Sequence, residues 1–211
     1  MLVLHDYCHK GNVEIWFFSN QFKLMYENSL NPGHIEKIDK GFLLTANSKT
    51  DFICKYHQYS RDDAAFFYAE QNGDFTLSAE VETIGSADYD AAFLMVRESE
   101  DRWIKLAVEL GVDGSYNVVS VITGPWSDDA NGELLSSGKC WLRITRKDDF
   151  WGLHYSTDGL KWRFVRAFGL GLGKNVMIGF GIQAPVGDDC SGKITAITLS
   201  DKSVGNFRDG S

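Results

Sequence analysis

The chain has 211 residues, 44% of them hydrophobic and 13% aromatic, enough to build a sizeable core in one all-β domain or two small domains. Its 29 acidic residues outnumber 21 basic ones, and the formal net charge of -8 repels phosphate backbones and anionic bilayers, so neither nucleic acid nor membrane is an expected partner. No run is long and apolar enough to span a bilayer, no basic-then-apolar leader opens the chain, and Cys8, Cys54, Cys140 and Cys190 are too scattered for a zinc ribbon. The expectation is a cytoplasmic protein with free thiols, no metal and no cofactor.

Val13 to Phe18 alternates as a strand does, and Gln21 to Asn31 fits a short helix or a strand equally well. Asn31-Pro32-Gly33 is a turn, followed by strands through Ile35 and Ile38 and through Gly41 to Thr45. Phe66 to Glu70 leads through Asn72-Gly73 into Asp74 to Glu82, where apolar and polar residues alternate strictly, the signature of a hairpin. Asp113-Gly114 turns the chain into Tyr116 to Thr123, and Gly124 to Gly138 reads as a polar loop around Trp126. Cys140–Arg146, Trp151–Ser156, Lys161–Phe168, Val176–Ala184 and Lys193–Leu199 complete the strands, with Gly169-Leu170-Gly171-Leu172-Gly173 a mobile connection between two of them. Many short strands without βα alternation predict an antiparallel two-sheet sandwich with few or no long helices. Residues 1–202 form one domain on this reading, with 203–211 a polar, frayed C-terminal tail.

The stretch from Asp90 to Leu110 sets the faces. If Arg97 lies opposite Trp103 across the polar loop, Met95 meets Lys105, Phe93 meets Ala107 and Ala91 meets Glu109. The other face is aliphatic throughout: Ala92, Leu94 and Val96 against Ile104, Leu106 and Val108. One side builds a core, and the other presents Arg97, Trp103, Lys105 and Glu109 together.

Three blocks, TDFICKYHQYSRDDAAFF (50–67), AAFLMVRESEDRWIKLAVEL (91–110) and WLRITRKDDFWGLHYSTDGLKW (141–162) with VMIGFGIQAP after it, together resemble the regulation-of-enolase protein family. The chain departs from that family at Ile53, where a Trp is usual, and at Tyr56-His57-Gln58-Tyr59, where the family has Thr-x-Tyr-Gly. The resemblance implies a concanavalin A-like jelly roll without an established catalytic activity, and a glycolytic-enzyme partner.

Candidate ligand-binding residues are Arg97, Trp103, Lys105 and Glu109, with Lys55 and His57 sharing a strand face and Trp126 as a lip. An indole beside charged hydrogen-bonding groups suits a sugar: the ring covers the C–H face of a pyranose while fixed donors and acceptors read its hydroxyls. The chain therefore reads as a non-catalytic binding or regulatory protein for a carbohydrate-like or other polar small ligand, or for a metabolic-enzyme partner. The alternative is a glycoside hydrolase pairing Glu109 with Glu80 or Glu82, although the Glu-x-Asp-x-(x)-Glu string of lectin-fold glucanases is missing. Ser156 to Trp162 resembles an Asp-box turn with Trp162 packed beneath it.

Overall fold

The structure, a computed structural model, describes residues 28–211, so the expected strand at 13–18 and most of the ambiguous 21–31 segment lie outside the described residues. Sixteen strands, numbered in chain order, make up the described fold. One seven-stranded antiparallel sheet runs β1 (Ser29–Leu30), β6 (Ala65–Asn72), β15 (Asn175–Gln183), β8 (Ala91–Ser99), β9 (Arg102–Leu110), β10 (Tyr116–Thr123), β11 (Ser127–Leu135). The second, also seven-stranded, runs β14 (Arg163–Gly169), β13 (Phe150–Ser156), β12 (Lys139–Lys147), β7 (Phe75–Ile84), β16 (Ser191–Ser200), β3 (Gly41–Thr45), β2 (His34–Ile38). A separate ribbon pairs β4 (Phe52–Tyr56) with β5 (Tyr59–Asp62).

The expected sandwich is what forms. Leu94, Val96, Ile104, Leu106 and Val108 of the first sheet pack against Leu77, Val81, Leu142, Ile144 and Leu153 of the second, all fully buried. Period-two alternation puts these side chains inward and leaves their neighbours on the outer faces. Thr83 at the seam accepts from the Ala92 amide at 2.9 Å and donates to the Val108 carbonyl at 2.6 Å, which satisfies polar groups where the layers meet.

Four local expectations need correction. Asn72-Gly73 does turn the chain, with Gly73 at φ 75°, but the flanking strands join different sheets and do not pair with each other. Residues 127–135, expected as loop, form edge strand β11; both of its faces are largely solvated, so its sequence carries no apolar alternation. The glycines at 169, 171 and 173, expected in a mobile connection, are tied down: Gly171 N donates to Asp149 Oδ1 at 2.8 Å, Gly173 N to Glu98 Oε1 at 2.6 Å, and Arg102 reaches the Leu170 carbonyl at 2.8 Å. The C-terminal residues lie on the outer face of the second sheet, where the Gly210 carbonyl accepts from Arg143 at 2.7 Å and the Phe207 carbonyl meets His154 Nε2 at 2.8 Å.

Cys54, Cys140 and Cys190 are free thiols, and burial pushes Cys140 up to about 12.

Candidate functional site

The β8–β9 register agrees with the sequence pairing at every rung: Arg97 opposite Trp103, Met95 opposite Lys105, Phe93 opposite Ala107, Ala91 opposite Glu109. The four candidate residues share the outer face of the first sheet, but that face is not open over most of its length. Trp103 is 1% exposed, Arg97 4% and Lys105 2%. The β4–β5 ribbon roofs them. Phe52 and Ile53 enter a second apolar cluster with Phe66, Phe93, Met95, Trp103, Val119 and Val121, so the roof is held by the same hydrophobic gain that holds the core.

Polar contacts fix the roof in place. Asp62 takes both terminal nitrogens of Arg97, at 2.5 and 2.8 Å, while the guanidinium lies 5.5 Å from the Phe52 ring. Cys54 N donates to Ser127 Oγ at 2.8 Å. Lys55 and His57, expected on the binding face of a strand, instead adopt φ of 50° and 54° at the ribbon's bend and are exposed. They sit on the solvent side of the roof, where Lys55 Nζ approaches the exposed Trp126 ring at 5.5 Å and His57 meets Tyr56 edge-on. The seven expected residues thus divide into a sealed group, an outer group and Glu109.

Past Lys105 the outer face stays covered through Phe93, Ala107 and Val119, and exposure returns at Glu109 and Asp129. The Lys105 ammonium donates to the Phe52 carbonyl and to Gln183 Oε1, each at 2.8 Å, and lies 3.6 Å from Asp51 Oδ1. Val121 lies opposite Lys105 and Asp129 opposite Val121, which aims Asp129 toward the same ammonium. Glu109, half-buried, completes a set of three carboxyls around one lysine. Burial pushes Glu109 up to about 8; Lys105 pulls it down, and Asp129 and Asp51 push it further up. Burial also raises Asp51 and Asp129, in each case against the pull of Lys105. Tyr59, exposed on the roof opposite Tyr56, has its phenol raised by burial and by Asp51. Among the described residues the Glu109 carboxyl has no hydrogen-bond partner.

Asp51, Tyr59, Asp129 and Gln183 were not expected here. They converge from four separate segments, and a single strand's alternation carries no signal for that. Asp129 was further hidden by the loop reading of β11.

Glu109 gives a pH dependence with a definite sign. Its folded value of about 8 lies above the ordinary 4.5, so between those values the folded chain keeps a proton the unfolded chain has lost, and stability falls as pH rises through that window. Glu109→Gln should melt like the parent below pH 4.5 and more stably than the parent at pH 8, as thermal unfolding across the range will show. A constant difference between the two proteins would mean a fully solvated carboxyl.

Glu80 and Glu82 do not join this site. They occupy the outer face of the second sheet, bound to Lys139 and Lys193 at 3.0 Å each, so Glu109 and these glutamates lie on opposite outer faces of the sandwich.

Residues 29–202 match the family model described as "Protein of unknown function (DUF1349)". The chain belongs to this family. A relative by sequence is "Regulation of enolase protein 1" of Saccharomyces cerevisiae, 30% identical over 125 residues; the match takes in 58% of this chain and 63% of the relative, less than two thirds of that protein. Among solved structures, a functionally unknown protein from Saccharomyces cerevisiae superposes with a TM-score of 0.77 at 23% identity, covering 83% of this chain and 96% of that one. A mutant of the GH43 protein BlXynB from Bacillus licheniformis gives a TM-score of 0.64 at 11% identity, covering 80% of this chain but 34% of the other, a likeness of fold alone.

Proposed function

We propose that this DUF1349 chain binds a polyhydroxylated, carbohydrate-like ligand at the Glu109–Asp129 end of the outer face of its first sheet, without transforming it, as a regulatory component of cytoplasmic metabolism. The observation that carries the reading is the Glu109 carboxyl, half-buried and without a hydrogen-bond partner among the described residues, beside the pinned ammonium of Lys105. The carboxyl is partly open to solvent, so it is free to meet a ligand, and ligand hydroxyls, which both donate and accept, suit a mixed set of carboxyls, amide and ammonium. Tyr59 offers an exposed ring on the roof. The name of the yeast relative supports the regulatory half, with enolase or another glycolytic enzyme as the partner.

Isothermal titration and thermal-shift screening against monosaccharides, sugar phosphates and short oligosaccharides test the ligand half. Glu109→Ala and Asp129→Ala should each weaken binding about tenfold or more, the loss expected for one hydrogen bond to a charged group, with the melting temperature of the parent retained or raised. A wild-type chain that binds none of these compounds would remove the proposal.

One observation favours a second reading, glycoside hydrolysis: a carboxyl that keeps its proton to about 8 beside ionisable Asp129 and Asp51 divides acid and base roles as such an enzyme requires. Turnover of aryl glycosides, abolished by Glu109→Gln, would decide for it.

A further inference from the structure

The Asp-box-like turn has no part in the site above, yet it sits on an aromatic residue that lines a cleft. Asp158 Oδ1 accepts from the amides of Leu160 and Lys161 at 2.8 Å each and from Ser156 Oγ at 2.9 Å, and these bonds hold its carboxyl down to about 2. Gly159, at φ 72°, then lies on the indole of Trp141: a Cβ there would come within 2.8 Å of the ring. Trp162, the expected partner of the turn, instead stacks on the Arg143 guanidinium at 4.1 Å. The turn is thus a clamp that fixes Trp141, which stays partly exposed.

Trp141 lies between Glu80 of β7 and Ser156 of β13 on the outer face of the second sheet. It lines a cleft of about 370 Å³ with Tyr155, Glu80, Lys139, Glu133 and Arg163, where β11 at the edge of the first sheet meets β12 to β14 of the second. Glu80 holds Lys139 at 3.0 Å and accepts from Thr195 at 3.0 Å. Glu133 stands 3.9 Å from Arg163, which reaches the Tyr155 hydroxyl at 3.5 Å.

We infer that this cleft is a second ligand site, specific for a pyranose-based oligosaccharide that stacks on the clamped Trp141 indole and hydrogen-bonds to the Glu80–Lys139 and Glu133–Arg163 pairs. The volume falls within the range of small-ligand sites, roughly 300–1,000 Å³. Two carboxylates and two cations around the ring leave no net charge to select an anion or a polycation, but offer the mixed donors and acceptors that neutral hydroxyls need. Because the turn already immobilises the indole, little side-chain freedom remains to be lost on binding. The site lies across the sandwich from Lys105 and Glu109, so it stands independently of the function proposed above.

The full chain titrated calorimetrically with xylohexaose, cellohexaose, laminarihexaose and maltohexaose tests the inference. At least one should bind, and Trp141→Ala should weaken that binding about tenfold. The exposed rim variant Glu133→Gln/Arg163→Ala gives a second reading if Trp141→Ala fails to fold, and it too should weaken binding. Absence of binding by the wild type, binding indifferent to the Trp141 and rim changes, or binding lost only in Glu109→Ala would each overturn the inference; the last would leave the first site standing.

Discussion

Trp103→Ala should lower the unfolding free energy by about 3–5 kcal/mol, the range for emptying a buried aromatic site, and drop the melting midpoint by roughly 10 °C in a chain of this size. The indole is 1% exposed, lies 6.3 Å from the Phe52 ring and donates Nε1 to the Glu100 carbonyl at 3.0 Å. Removing it empties the space between sheet and roof and frees an acceptor at the loop. A ring serving as an open sugar plate would behave differently: the variant would melt with its parent and lose only affinity. Calorimetric melting alongside ligand titration separates the two outcomes, and the second would show that the roof does not close as described.

Asp62→Ala should cost about 3 kcal/mol in urea denaturation, the low end for stripping the partner from a buried charge. The low end applies because the Asp62 side chain is 30% exposed while that of Arg97 is 5% exposed, so water can partly reach the vacated position. What remains is a guanidinium under Phe52 with no carboxylate to meet it. Adding Arg97→Met to the first change should recover most of the loss, since a well-packed apolar pair of similar volume avoids the desolvation penalty. If Asp62→Ala alone were silent, the ion pair would not be what fastens the roof.

The sheets were legible because their alternation is strict. A single assumption about the loop gives the cross-strand partners from Ala91–Glu109 to Arg97–Trp103, and it places Arg97, Trp103, Lys105 and Glu109 on one face; only past Arg97 does the register shift, pairing Ser99 with Arg102. What lies over that face was not legible. Phe52 and Ile53 announce apolar side chains but not the layer that receives them, and polar groups that look destined for solvent are equally suited to meet the polar groups of a covering segment, as Arg97 does with Asp62. Edge strand β11 escaped for a related reason: a strand with water on both sides needs no pattern. The polar cluster around Lys105 is assembled from Asp51, Glu109, Asp129 and Gln183, which meet only once sheet order is known.

The β4–β5 ribbon contributes no rung to either seven-stranded ladder; it is attached through side chains and a few bonds to single backbone atoms. A change within residues 52–62 therefore leaves every rung of both ladders in place, provided the new cover still fills the space over Trp103 and meets the Arg97 guanidinium. The departures from the regulation-of-enolase pattern at Ile53 and at Tyr56 to Tyr59 fall within this piece, so they alter the cover and leave the ladders as they are.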